Sequence, residues 1–216
     1  MKRKINFKNN NSYTMSHSNQ ETIKNMSDKL TSLLPVFPRE YIIVCIGTDR
    51  STGDALGPLT GTYLEQLNLR HMDVFGTLHH PVHAQNLSDY ITKINDKYRK
   101  PFIIAIDACL GKSSSIGNIT LGTGPLFPGA ALNKKLPDIG DIHLTAVVNV
   151  SGFMEYAVLQ NTRLSIVTDM ATTIASILSK VDNQLSFTQR LAATVLPEFK
   201  TKDSLNITTN KERYSN

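Results

Sequence analysis

The segment Tyr41-Ile-Ile-Val-Cys-Ile46 is apolar at every position. A strand with one face in water alternates apolar and polar residues, so an unbroken run of this length is the pattern of a strand covered on both faces, as in a parallel sheet. A second such run, Phe102-Ile-Ile-Ala-Ile106, leads into Asp107. Between the two runs, Leu56, Leu59, Tyr63, Leu64 and Leu67 recur at helical spacing, a strand is predicted near Val74 to Leu78, and a helix near Asn86 to Tyr98. Strand, helix, strand, helix, strand is the alternation of a parallel sheet with crossover helices. The expected fold is therefore α/β: a three-layer, open, mostly parallel sheet with helices on both faces.

The remaining elements follow from local pattern. A helix is predicted from Met26 to Leu34, ended by Pro35, and a short strand or hairpin at Ile116-Gly-Asn-Ile-Thr-Leu121. A glycine- and proline-rich loop over 122–140 has the composition of a mobile lid. Residues 142–150 return to the sheet, and 152–159 suggest a helix. Leu164-Ser-Ile-Val-Thr168 is read as a last strand, with helices from Met170 to Val181 and from Phe187 to Leu196. Residues 1–25 are expected to form a disordered polar tail, 26–197 a single α/β domain, and 198–216 a second polar tail.

The net charge of +5 suggests an acidic partner until the charges are placed. Residues 34–196 carry 13 basic and 13 acidic side chains, so the excess lies in the two ends and a nucleic-acid groove in the core is not expected. Met1-Lys-Arg-Lys4 is followed by an Asn-rich segment rather than an apolar one, so no secretion signal is expected. No uninterrupted apolar run approaches the roughly 18 residues of a membrane span. Cys45 and Cys109 fall inside the two apolar runs and read as buried thiols rather than a disulfide or metal pair. These features predict a soluble cytoplasmic protein with no membrane partner.

Ligands of open α/β sheets bind beyond the carboxyl ends of the strands. That rule selects Asp49 and Asp54 in the loop after the first strand, Asp107 at the end of the second apolar run, and His143 on the strand over 142–150. Asp54 has the position of an N-cap for the helix that begins near Ala55. Asp107 could equally accept backbone N–H groups of the glycine-rich loop. Read together, they place two carboxylates at the mouth of adjacent strands, a geometry that can share a proton or hold a divalent metal. His143 is either a satisfied core residue or a third ligand. The cluster His79-His80-Pro81-Val82-His83 lacks the partners of a complete zinc site. The loop Gly47-Thr-Asp-Arg-Ser-Thr-Gly53 lacks the ending of a phosphate-binding loop.

The segments Cys45-Ile-Gly-Thr-Asp-Arg-Ser-Thr-Gly-Asp-Ala-Leu-Gly-Pro58 and Ile104-Ala-Ile-Asp-Ala-Cys-Leu110 resemble the two hallmark segments of the bacterial spore germination protease. The likeness is greatest to the smaller YyaC-type sporulation protein family within that group. It implies an endopeptidase in which Asp54 and Asp107 are the catalytic aspartates. The hydrogenase maturation proteases are similar in scaffold, and that resemblance implies a nickel or zinc ion held by Asp54, Asp107 and His143. The partners implied are a protein or peptide substrate and, optionally, further copies of the chain. The location implied is the cytoplasm of the sporulating cell or forespore. The alternative function is a non-catalytic sporulation protein that keeps the fold as a binding or scaffolding module.

Overall fold

The computed structural model describes residues 12–35, 40–128 and 136–195, with side chains as far as Leu185. Its strands are β1 (Ser12–Ser16), β2 (Tyr41–Cys45), β3 (Met72–Phe75), β4 (Phe102–Gly111), β5 (Asn118–Thr123) and β6 (Ile142–Val150). Its helices are α1 (Thr22–Leu33), α2 (Leu56–Leu67), α3 (Leu87–Lys97), α4 (Glu155–Gln160) and α5 (Leu164–Val195). The strands form one sheet in the order β1-β5-β6-β4-β2-β3. Strands β3, β2, β4 and β6 are mutually parallel, while β5 and β1 are added antiparallel at one edge.

Both faces are covered, as the apolar runs require. On one face, Met26 and Leu30 of α1, Leu56 and Leu64 of α2, and Met170, Ile174 and Ile177 of α5 pack with Ile43, Cys45, Ile104, Ile106 and Leu144. On the other, Leu87 and Ile94 of α3 and Tyr98 just beyond it pack with Ile42, Val44, Ile46 and Ala105. Successive residues of β2 thus belong to different cores, and none of the five can be polar without leaving a buried group unpaired.

The structure departs from the sequence reading in three places. Residues 12–25, expected to be disordered, hold β1 and the start of α1. Tyr13 and Met15 pack against the larger core, and the strand pairs with β5 from Ser12↔Gly122 to Ser16↔Asn118. Leu164-Ser-Ile-Val-Thr168 is not a strand but the first turn of α5. Val167 is buried in line with Met170, Ala171, Ile174, Ile177, Leu178 and Val181, so the helical period already runs through it. The two helices expected from Met170 onwards are one. Asp182, in the expected gap, is buried and accepts the backbone N–H groups of Arg70 (2.9 Å) and His71 (2.8 Å).

This continuous helix also changes the membrane argument. Leu164–Leu185 is long and apolar enough to match a membrane span by length and composition. Its apolar side is occupied by the core just described. The expected disorder of residues 1–11 and 198–216, and residues 129–135 of the expected lid, lie outside the described residues.

Candidate active site

Strand β4 extends past the end of β2. Ile46 donates its N–H to Ile106 O (2.7 Å), and the next residue of β4, Asp107, pairs in register with Thr145 of β6. Asp107 therefore stands where β2 has turned away into its loop. That loop folds back on itself. Gly47 N–H reaches Val82 O (2.8 Å), and Thr48 N–H reaches Asp54 O (3.1 Å). Gly47 has φ +149°, and a Cβ there would lie 2.0 Å from Asp54 O. Glycine is what lets the strand end touch the residue that carries the second carboxylate.

Asp54 lies in a short 3-10 turn, Gly53–Ala55, that leads into α2. The residue at the N-cap of α2 is Ala55, and no side chain caps it. The capping role open to Asp54 is not taken, which leaves its carboxylate to the cavity. Among the described residues, Asp107 accepts one backbone N–H, that of Ala108 (2.8 Å), and none from the glycine-rich loop.

The two carboxylates line one cavity of about 410 Å3. Its other polar walls are Thr48, His83, Cys109, Thr145 and Glu155, and its apolar walls include Ile46, Leu126, Leu136 and Leu159. Phe127 and Tyr156 line it while remaining 56% and 60% exposed, so they form its rim. Burial raises the pKa of Asp107 to about 8, with the charge of Asp54 acting in the same direction and the Ala108 N–H against it. The Asp54 carboxyl is also raised by burial, eased by Ser51. Ser51 Oγ is buried and has no partner in hydrogen-bonding geometry, so its effect on Asp54 is that of a nearby dipole. The Cys109 thiol is raised to about 11 by burial and by Asp107, which makes it a neutral wall rather than a nucleophile. Cys45 and Cys109 are both free thiols, the first buried and the second half-buried.

His143 is elsewhere. Its Nδ1 donates to Gly124 O (3.0 Å), and its ring lies over Gly122, where a Cβ would come within 2.4 Å of Nε2. It does not line the cavity. Among the described residues no three His, Cys, Asp or Glu side chains gather to hold a metal ion, so the nickel or zinc triad of Asp54, Asp107 and His143 is not assembled. Asp49, the other carboxylate of the loop, is likewise outside the lining.

Sequence reasoning passed over five polar lining residues, Thr48 among them. Thr145 could have been found by aligning β4 and β6 in parallel register, which sets it opposite Asp107. His83 lay within the histidine cluster that was weighed only as a zinc site. Cys109 and Glu155 carry no signal beyond their position.

Over residues 14–177 the sequence matches the family described as "Protein of unknown function (DUF1256)". "Uncharacterized protein YyaC" of Bacillus subtilis (strain 168) is 50% identical over 169 residues, covering 78% of this chain and 82% of that one. Among solved structures, the crystal structure of the NiFe hydrogenase maturation protease HycI from Thermococcus kodakarensis KOD1 is similar with a TM-score of 0.47 at 17% identity. That match covers 72% of this chain and 99% of HycI. The long match to the family and the close relationship to YyaC agree, and the chain belongs to the DUF1256 family.

Proposed function

We propose that this chain is a peptidase of the sporulating cell or forespore cytoplasm, in which Asp54 and Asp107 act as a coupled carboxyl pair on a protein or peptide substrate. The observation that carries the reading is that Asp54 and Asp107 line one cavity, where burial and the charge of Asp54 raise the Asp107 carboxyl to about 8. A carboxylic acid that stays protonated near neutral pH beside one that ionises is the pairing that acid–base hydrolysis needs. The ionised member takes a proton from water as the water oxygen bonds to the carbonyl carbon. The protonated member gives its proton to the amide nitrogen as the C–N bond breaks. Because the two titrate as a unit, these roles belong to the pair.

Two further features support a polypeptide as the substrate. The apolar walls and exposed rim of Phe127 and Tyr156 suit side chains flanking an amide bond. The resemblance of residues 45–58 and 104–110 to the germination protease segments supports reading Asp54 and Asp107 as the acting pair.

The test is incubation of the full chain with a small acid-soluble spore protein, followed by mass spectrometry. Asp54→Asn and Asp107→Asn are each expected to lower kcat by about 10²–10⁴-fold while the fold persists. His143→Ala, outside the cavity, is expected to keep cleavage, and a chelator is expected to leave the rate unchanged. An intact substrate moves the assignment to a non-catalytic binding protein of sporulation.

A further inference from the structure

His83 is the one member of the histidine cluster that lines the cavity, and its setting is more ordered than its place in a connecting loop suggests. Val82 is bridged in parallel to Ile46 at the end of β2, and its carbonyl accepts Gly47 N–H. Asn86 then clamps the turn from both sides: its Nδ2 donates to Pro81 O (3.0 Å) and its Oδ1 accepts His83 N–H (2.8 Å). The carbonyl of His83 accepts the N–H groups of Asn86 and Leu87 at the start of α3. The backbone of His83 is therefore tied to the same loop that positions Asp54.

The imidazole is oriented as well. Its Nδ1 accepts the backbone N–H of Gln85 (3.2 Å), so Nδ1 carries no proton. A neutral imidazole with a lone pair at Nδ1 has its proton at Nε2, which leaves Nε2 as the ring's donor. His79 and His80 are exposed and have no such arrangement.

We infer that His83 is a further catalytic residue: its Nε2–H donates a hydrogen bond to the carbonyl oxygen of the bond that Asp54 and Asp107 cleave, and holds the negative charge which that oxygen gains. The inference rests on the peptidase reading and adds to it a function the two carboxylates do not supply. They handle the water proton and the leaving nitrogen, whereas the carbonyl oxygen needs a donor that is already in place and does not itself give up its proton. His83 forms and loses only a hydrogen bond, so the proton balance of the hydrolysis is unchanged.

The experiment compares His83→Ala and His83→Gln in the full chain on a small acid-soluble spore protein and on unfolded casein. His83→Ala is expected to lower kcat by about 10²–10³-fold with little change in KM. His83→Gln, which keeps an N–H donor, is expected to recover part of that loss. In parallel, spectra of the chain carrying ¹⁵N-histidine, with the His83 signal identified by its loss in His83→Gln, are expected to show the Nε2–H tautomer. Wild-type kcat in His83→Ala, alongside inactive Asp54→Asn and Asp107→Asn, overturns the inference and leaves the aspartate pair standing. An Nδ1–H tautomer overturns it whatever the kinetics. Active aspartate variants, or no cleavage of either protein by the wild type, remove the peptidase reading and this inference with it.

Discussion

Asp54 reaches the cavity from the loop after β2 and Asp107 from the end of β4, and the charge of the first adds to burial in raising the proton affinity of the second. Neither carboxylate is spent on holding the fold. Among the described residues, Asp54 caps no helix, and Asp107 takes a single N–H from its neighbour.

The raised Asp107 carboxyl makes stability depend on pH in a stated direction. The folded chain holds this proton up to about pH 8, whereas the unfolded chain releases it near the ordinary value of 3.8. Between these limits the unfolded state binds fewer protons, so this group's contribution to stability falls as pH rises and levels off above about 8. Asp107→Asn keeps an acceptor for Ala108 N–H and cannot ionise. It is expected to be more stable than the wild type, with a gap that opens from about pH 4 and reaches a few kcal/mol by about pH 8. Urea unfolding of the two proteins across that range checks it, and a gap independent of pH counts against the assignment.

Ser51 offers a second test of the same electrostatics. Its hydroxyl is buried without a hydrogen bond, so Ser51→Ala is expected to fold as stably as the wild type or more so, because an unpaired polar group is removed. The Asp54 carboxyl loses an influence that lowers its pKa, so the acid limb of the pH–rate profile is expected to move to higher pH. A loss of stability on this substitution, or an unmoved limb, contradicts the placement.

Gly47→Ala probes the contact between strand end and carboxylate. The added Cβ meets Asp54 O at 2.0 Å, in a backbone conformation that L residues rarely adopt. The loop must open, so a destabilisation of about 1–3 kcal/mol or more is expected, with activity falling further than stability accounts for. Chemical denaturation together with kcat under fully folded conditions separates the two effects.

Much of this arrangement is written in short stretches of sequence. The apolar runs of β2 and β4 announce a sheet covered on both faces, and the carboxylates stand at their ends, so the sheet and the Asp54–Asp107 pair could be read before any coordinates. What stayed hidden depends on partners distant in sequence. Strand β1 is polar at every second residue and takes its place in the sheet through β5, with Thr14 Oγ1 meeting Thr120 Oγ1 at 2.9 Å. The start of α5 has a β-branched composition, and only the burial of Val167 in series with Met170 and Ile174 shows its period to be helical. His143 looked like a ligand because it stands on a sheet strand and matches a histidine of the hydrogenase maturation proteases, but its ring lies over Gly122 of β5, with Nδ1 bonded to Gly124 O.

The pairing of β1 with β5 bears on the order in which the chain can assemble. Among the described elements β1 leaves the ribosome first, yet its neighbour in the sheet, β5, follows about a hundred residues later, after β2, β3 and β4 have been made. Closing so long a loop is slow relative to joining β2 to β4 through local crossovers. Strand β1 is thus expected to dock after the central strands. In pulse-labelled refolding, the amides of Ser12–Ser16 should gain protection after those of Tyr41–Cys45 and Phe102–Gly111.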